Sequence, residues 1–135
     1  MIYLLDTNTC IYIINRKPPS ALNRILSKEP DEIAISAITV AELEYGVDRS
    51  QKVDQNRIAL LLFLMPFIIV DFDRAAAAAY GSIRTFLESE GTPIGPMDLL
   101  LAAQAVSRRL VLVTNNEREF RRVQRLRIEN WIEEQ

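Results

Sequence analysis

Histidine is absent from the chain. Without an imidazole, a Ser-His-Asp or Cys-His nucleophile system, a histidine general base and a histidine-ligated zinc are all excluded. Cysteine occurs once, as Cys10; it can close no internal disulfide and supply no cysteine-based zinc site, and it reads as a small buried side chain. Long apolar runs are missing too. The longest, Ala59 to Val70, is twelve residues with Pro66 inside it, against the roughly twenty that span a bilayer, so it reads as a core or interface segment and no membrane association is expected. The opening MIYLLD has no basic region and reaches a charge at Asp6, unlike a secretory signal, which makes a cytoplasmic protein the expectation. Neither G-x-x-x-x-G-K-[ST] nor G-x-G-x-x-G occurs, so no common nucleotide-phosphate signature is available.

What is present is an ordinary globular composition, 49% hydrophobic and 25% charged, and 135 residues suit a single domain over 1–135. Short runs rich in Ile, Val and Leu at Ile2–Leu5, Glu32–Ile35, Phe67–Val70 and Leu110–Val113 read as buried strands, with a last strand open at Leu126–Ile128. Helical stretches lie between them at Thr7–Asn15, Ser20–Ser27, Thr39–Val47, Val53–Leu64, Ala75–Glu88 and Met97–Ser107. This alternation predicts an α/β fold with a parallel sheet and right-handed helical crossovers on both faces. Gly91-Thr-Pro-Ile-Gly-Pro96 is punctuated as a loop, with Pro96 suited to the first turn of the next helix.

Acids fall where such strands end. Asp6 follows the first strand, Glu42 is placed in the first turn of the helix after the second, Asp98 opens the helix after the proline-rich loop, and Asn115, Asn116, Glu117 and Glu119 follow the fourth strand. Parallel strands share one carboxyl edge, and groups just beyond it converge on the ligand crevice of such folds. Each acid also has a structural reading: Asp6 as a helix N-cap, Thr39-Val-Ala-Glu42 as a capping box, and Asp98 as favourable charge at a helix amino end. Taken together, clustered carboxylates would repel unless a cation neutralised them. Oxygen ligands select Mg²⁺ or Mn²⁺, and the chemistry most compatible with this inventory is hydrolysis of a phosphodiester.

Charge is informative when divided. The whole chain carries a net −2, yet residues 108–128 hold seven arginines against Glu117 and Glu119. Arginine's planar fork suits phosphate; the alternative is a solvated helical face.

The blocks LLDTNTCIYIIN (4–15), ISAITVAELEYG (35–46), IGPMDLLLAAQA (94–105) and LVTNNEREF (112–120) together resemble the PIN-domain ribonucleases, in particular the VapC-type toxins of bacterial toxin–antitoxin pairs. The resemblance runs from Leu4 to Trp131 with the blocks in the family's order. It implies a PIN-like three-layer α/β/α fold with a central parallel sheet of four to five strands. It also implies a Mg²⁺-dependent or Mn²⁺-dependent endoribonuclease in which Asp6, Glu42 and Asp98 are catalytic and metal-binding. In the fourth block many PIN domains carry an aspartate where this chain has Asn116, which offers a neutral ligand oxygen; Glu119 is the candidate replacement carboxylate. Thr7, Asn8, Thr114, Asn115 and Arg118 are the candidate RNA contacts, with helix capping the alternative for Thr114; Arg121, Arg122 and Arg125 are more remote candidates.

The family further implies an RNA substrate (transfer RNA and ribosomal RNA both remain open), a homodimer, and a cognate VapB-type antitoxin that lays an apolar helix in a groove. Apolar excess supplies the surface: Ile11, Ile14, Leu61, Leu64 and Met65 exceed what one helix face buries, unless those helices are covered on most sides. A processing nuclease without an antitoxin and a non-catalytic PIN-like binding module are the competing readings; retention of the three acids speaks against the module.

Overall fold

The structure is a computed structural model that describes residues 1–132. Five short strands, β1 (Tyr3–Leu5), β2 (Ile33–Ser36), β3 (Ile68–Val70), β4 (Val111–Val113) and β5 (Ile128–Glu129), form one parallel sheet in the order β3-β2-β1-β4-β5. The connecting helices are α1 (Thr7–Asn15), α2 (Pro19–Leu26), α3 (Ala37–Asp48), α4 (Val53–Leu64), α5 (Arg74–Ser89), α6 (Pro96–Arg108) and α7 (Glu117–Phe120). Among the described residues no helix is long and apolar enough to cross a membrane.

From β1 the sheet grows one way through β2 to β3, and α5 and α6 then carry the chain back to β4 on the other side of β1. That reversal makes a topological switch point between β1 and β4, the place where open α/β sheets leave a crevice at their carboxyl ends. The register brings three strand ends level: Leu5 pairs with Ile35 and with Val113. The residues that come next, Asp6, Ser36 and Thr114, therefore emerge side by side.

Alternation along the strands divides the core into two layers. Leu5, Ile33, Ile35 and Val113 pack with Cys10, Ile13, Ile25, Leu43 and Leu60 from the α1 to α4 side. Leu4, Ala34, Val70 and Leu112 face the opposite way and meet Leu87, Leu99, Ala102 and Ala105 of α5 and α6. The three-layer α/β/α arrangement is the expected one.

Several boundaries differ from the sequence reading. Residues Pro30–Glu32 form a 3-10 turn, so β2 begins at Ile33. β5 lies at Ile128–Glu129, displaced toward the carboxyl end from Leu126–Ile128. β3 is an edge strand, and Ile68 and Ile69 are exposed rather than buried. Helix α7 was given no range in the sequence reading, which had only Thr114 as its candidate cap, because four residues are too few for a hydrophobic period to register.

Candidate active site

Asp6 is the N-cap of α1: its Oδ1 accepts a hydrogen bond from the Thr9 amide at 2.8 Å. The structural reading is thus correct for this residue. At 4% exposure Asp6 lies inside the protein. Burial raises its pKa and the Glu42 charge adds to the rise; hydrogen bonds from Thr114 and Thr9 oppose it. Thr114 is fully buried and its Oγ1 accepts the Asn116 amide at 2.9 Å. Its hydroxyl therefore supports Asp6 from behind, and the expectation of a Thr114 contact to RNA is corrected: the strand register places it behind the carboxylate, away from solvent. Nor does it cap α7, whose N-cap position is Asn116.

Glu42 stands in the second turn of α3, not the first. Ser36 is the N-cap, its Oγ accepting the Ile38 amide at 3.0 Å, so the helix starts at Ala37 and Thr39 lies within it. The Thr39–Glu42 capping box does not form. Instead the Thr7 hydroxyl donates to Glu42 Oε1 at 2.6 Å and lies 3.3 Å from the Thr39 hydroxyl, tying α1 to α3 across the crevice. Thr7 is engaged by this bond, whereas Asn8 is exposed.

Asp98 is in the first turn of α6, which has Gly95 as N-cap and Pro96 at its first position. Its pKa is pushed up to about 6, first by burial, then by the charges of Glu119, Asp6 and Glu42, and by a hydrogen bond shared with Glu119. Glu119 moves the opposite way. Burial alone would raise it, but the Gly95 amide, the Asn116 side chain, Arg122 and Asp98 together hold it below the usual range. Its Oε1 accepts the Gly95 amide at 2.6 Å and its Oε2 accepts Asn116 Nδ2 at 2.8 Å. Asn116 thus faces Glu119 through its amide nitrogen.

The remaining candidates separate. Arg118 is exposed and makes no ion pair among the described residues. Arg121 pairs with Glu117 at 2.9 Å, and Arg122 Nη1 donates to the Pro93 carbonyl at 3.0 Å. Asn115 Oδ1 accepts from Asn130 Nδ2 at 3.1 Å, and Asn130 also bonds Glu117 at 3.0 Å. Asn130, Gly95 and Arg122 thus hold the site residues together. The sequence reading passed over the first, took the second only as loop punctuation and the third as a remote RNA contact.

A groove of about 670 Å³ opens from the crevice between α1, α3 and α4. Thr7 and Glu42 line its acidic end, with Met97 beside them, and Ile11, Ile14, Ala41, Tyr45, Ala59 and Leu60 its apolar length. Arg57 of α4 bonds Glu44 at 2.8 Å and also Asp48 of α3, joining two of its walls. Ile11 and Ile14 line the groove as expected, but Leu61, Leu64 and Met65 do not. Leu64 packs half-buried against the core, a correction that follows from its place on the inward side of α4. Leu61 and Met65, 59% and 75% exposed, belong with Ile58 and Leu62 to a stripe at helical spacing that carries into the residue capping α4.

Four carboxylates therefore face one crevice, and the repulsion among them is visible in the raised Asp98 pKa. Among the described residues no three acids stand close enough to enclose an ion; they line the site. The donor set fits a hard divalent cation nonetheless: all its members are oxygens, and a dication would relieve the repulsion that, together with burial, raises the Asp98 pKa.

Residues 3–126 match the family model described as PIN domain. The chain is 47% identical over 132 residues to ribonuclease VapC2 of Rickettsia felis, covering 97% of this chain and 98% of that protein. It is 42% identical over 129 residues to the tRNA(fMet)-specific endonuclease VapC of Shigella flexneri, covering 96% and 97%. The crystal structure of VapBC2 from Rickettsia felis bound to a DNA fragment from their promoter aligns with a TM-score of 0.89 at 46% identity, over 98% of this chain and 100% of that chain.

Proposed function

The chain belongs to the PIN-domain family, and from that premise we propose that it is a VapC-type endoribonuclease toxin that hydrolyses RNA phosphodiesters and is neutralised by a VapB-type antitoxin. The observation that carries the reading is the meeting of Asp6, Glu42, Asp98 and Glu119 at the sheet's switch point, with the other three helping to push Asp98 to about 6. A module that only bound a partner would gain nothing from such repulsion.

Asp6 and Asp98 are the groups that would hold Mg²⁺ or Mn²⁺, with Glu42 beside them. Such an ion, when bound, lowers the pKa of a water and neutralises charge developing on a phosphoryl oxygen. Each residue of the chain has its own task. Asp6 is fixed by the Thr9 amide and the Thr114 hydroxyl, so it presents an oxygen without having to be ordered when substrate arrives. Glu42, held by Thr7, is placed to orient the attacking water. Asp98 must lose its proton to act as a ligand, and near neutrality a group at about 6 is mostly ionised. Asn8 and Arg118, both exposed, are the proposed phosphate contacts.

The groove is the proposed seat of the antitoxin helix. It is apolar along α1, α3 and α4 and reaches Glu42, so an occupant would also cover the acids. The exposed stripe on α4 is the proposed surface for a homodimer. The relative named for tRNA(fMet) makes initiator tRNA the first substrate to try.

The test is cleavage of initiator tRNA and of total RNA by purified wild type and Asp98→Asn, with Mg²⁺, with Mn²⁺ and with chelator, alongside circular dichroism. Metal-dependent cleavage by wild type alone is expected. Folded wild type that cuts none of these RNAs with either metal would overturn the reading.

A further inference from the structure

The loop that delivers Asp98 is tied at its start by the Gly91 and Thr92 amides, which donate to the Glu88 and Leu87 carbonyls at 3.1 and 3.0 Å, and Ile94 packs on the core; beyond Thr92 its backbone has few partners of its own. Residues 91–96 are mostly exposed, Pro93 and Pro96 have no amide to donate, and Gly95, as the N-cap of α6, has no side chain with which to cap the helix. Two bonds from the following α7 region reach across to it: Glu119 Oε1 accepts the Gly95 amide at 2.6 Å, and Arg122 Nη1 reaches the Pro93 carbonyl at 3.0 Å. Residues 119 and 122 are three apart, so on a helical turn they share a face. The residues after each, Phe120 and Val123, are buried in the core layer under α6. The two arms are therefore mounted on fixed points.

Resting on the nuclease reading, we infer that Glu119 and Arg122 are positioning residues that clasp the 91–96 loop and so set Asp98, with Glu119 acting through the Gly95 amide instead of serving as a fourth metal ligand. Both oxygens of Glu119 already have donors, from Gly95 and from Asn116. Gly95 sits where the two acids meet: a methyl group there would lie 3.6 Å from Glu119 Oε1 and 3.7 Å from Asp98 Oδ2, ordinary contact distances. Displacing the loop displaces Asp98 with it, since only Pro96 and Met97 intervene. Asn116, where many PIN domains have an aspartate, fits this arrangement, because its amide donates to the oxygen of Glu119 that Gly95 does not use.

The two roles for Glu119 diverge on conservative substitution. Glu119→Gln keeps a carbonyl for the Gly95 amide, and its nitrogen keeps the Asn116 bond once that amide turns its oxygen inward, but it loses the charge that a metal ligand needs; Glu119→Ala loses carbonyl and charge alike. Turnover and KM would be measured on an initiator tRNA transcript, Mn²⁺ affinity by electron paramagnetic resonance, and exchange of the Gly95 amide by NMR. The clasp predicts that Glu119→Ala lowers kcat by about a hundredfold, the scale of a 1 Å misplacement, with KM little changed. It predicts that Glu119→Gln recovers at least about tenfold of the kcat lost in Glu119→Ala, with Mn²⁺ affinity little changed. Gly95 exchange should speed up in Glu119→Ala and stay slow in Glu119→Gln. Should Glu119→Ala not fold, Arg122→Ala releases only the Pro93 arm and should lower kcat while leaving Gly95 protected. A Gln variant as impaired as the Ala variant, with Mn²⁺ affinity reduced tenfold or more, would make Glu119 a ligand and overturn the clasp. So would wild-type turnover in Glu119→Ala. Failure of the nuclease reading is separate: wild type would then cut nothing, while Gly95 exchange would still report on the clasp.

Discussion

Replacing Asp98 with asparagine should make the metal-free protein more stable while abolishing its activity. The carboxyl is pushed from an ordinary 3.8 to about 6 in the folded chain. A group whose folded pKa lies above its unfolded one holds its proton more tightly when folded. Its contribution is fully present below about 3.8 and is lost as pH rises through about 6. A shift of about two units, at about 1.4 kcal/mol each, amounts to nearly 3 kcal/mol, and screening of a part-exposed group reduces this to on the order of 2 kcal/mol. Asparagine removes the charge and can still donate to Glu119. For a chain of this size that gain corresponds to a rise of about 7 °C in Tm near neutrality. Glu119, shifted downward, has the opposite sign: its contribution is present above its ordinary 4.5 and fades only as pH falls below that value, so it does not mask the Asp98 window. The assay is thermal unfolding in chelator across pH 4 to 8, repeated with excess Mg²⁺. Wild type should lose stability as pH rises through about 6 and regain it with Mg²⁺; the variant should melt higher near neutrality and respond little to the ion. A variant that melts at or below wild type in chelator, or that gains as much from Mg²⁺, would refute the reasoning.

The sheet and its order of helices were legible because each apolar run had the length and β-branched content of a strand buried on both faces, and the stretches between them had helical periods. Ile68 and Ile69 show the limit of that logic. Their composition is that of an interior strand, yet they lie on an edge, and strand order is not written in any one strand. The positions of Asp6 and Asp98 at the crevice were legible because an acid at the end of a strand or the start of a helix is a local feature. Glu42 was placed on the right helix, but with the wrong cap. Ser36 and Thr39 are both good N-caps by type, and the choice fell to Ser36 because β2 ends there, one residue past the Leu5–Ile35 pair. The support around the acids was illegible for the same reason. The bond from Glu119 to Gly95 spans 24 residues and that from Thr7 to Glu42 spans 35, and both exist only because the parallel sheet brings its strand ends together. Leu61 and Leu64 are alike in type and three residues apart, but one is exposed and the other packs on the core; the direction in which α4 is docked separates them.

Three further outcomes are expected. Thr114→Val removes the hydroxyl that donates to Asp6 and accepts the Asn116 amide, so it should cost about 1–3 kcal/mol in urea unfolding and reduce turnover; unchanged stability would mean that a water replaces the hydroxyl. Arg118→Ala should raise KM for RNA with kcat preserved and lessen the salt slope of binding by about one; an unchanged slope in filter binding at several salt concentrations would remove Arg118 from the phosphate path. Ile11→Lys separates the groove from the active site. Ile11 is 39% exposed and lines the groove on α1, so lysine can reach solvent without disturbing the core, yet an apolar helix seated there would have to bury its charge. Cleavage and Tm should match wild type, while affinity for a VapB-type antitoxin, measured by calorimetry, should fall at least about a hundredfold, since an unpaired buried charge costs several kcal/mol. If the antitoxin binds the variant as tightly as wild type, its helix lies elsewhere, and the stripe of Ile58, Leu61, Leu62 and Met65 becomes the surface to substitute next.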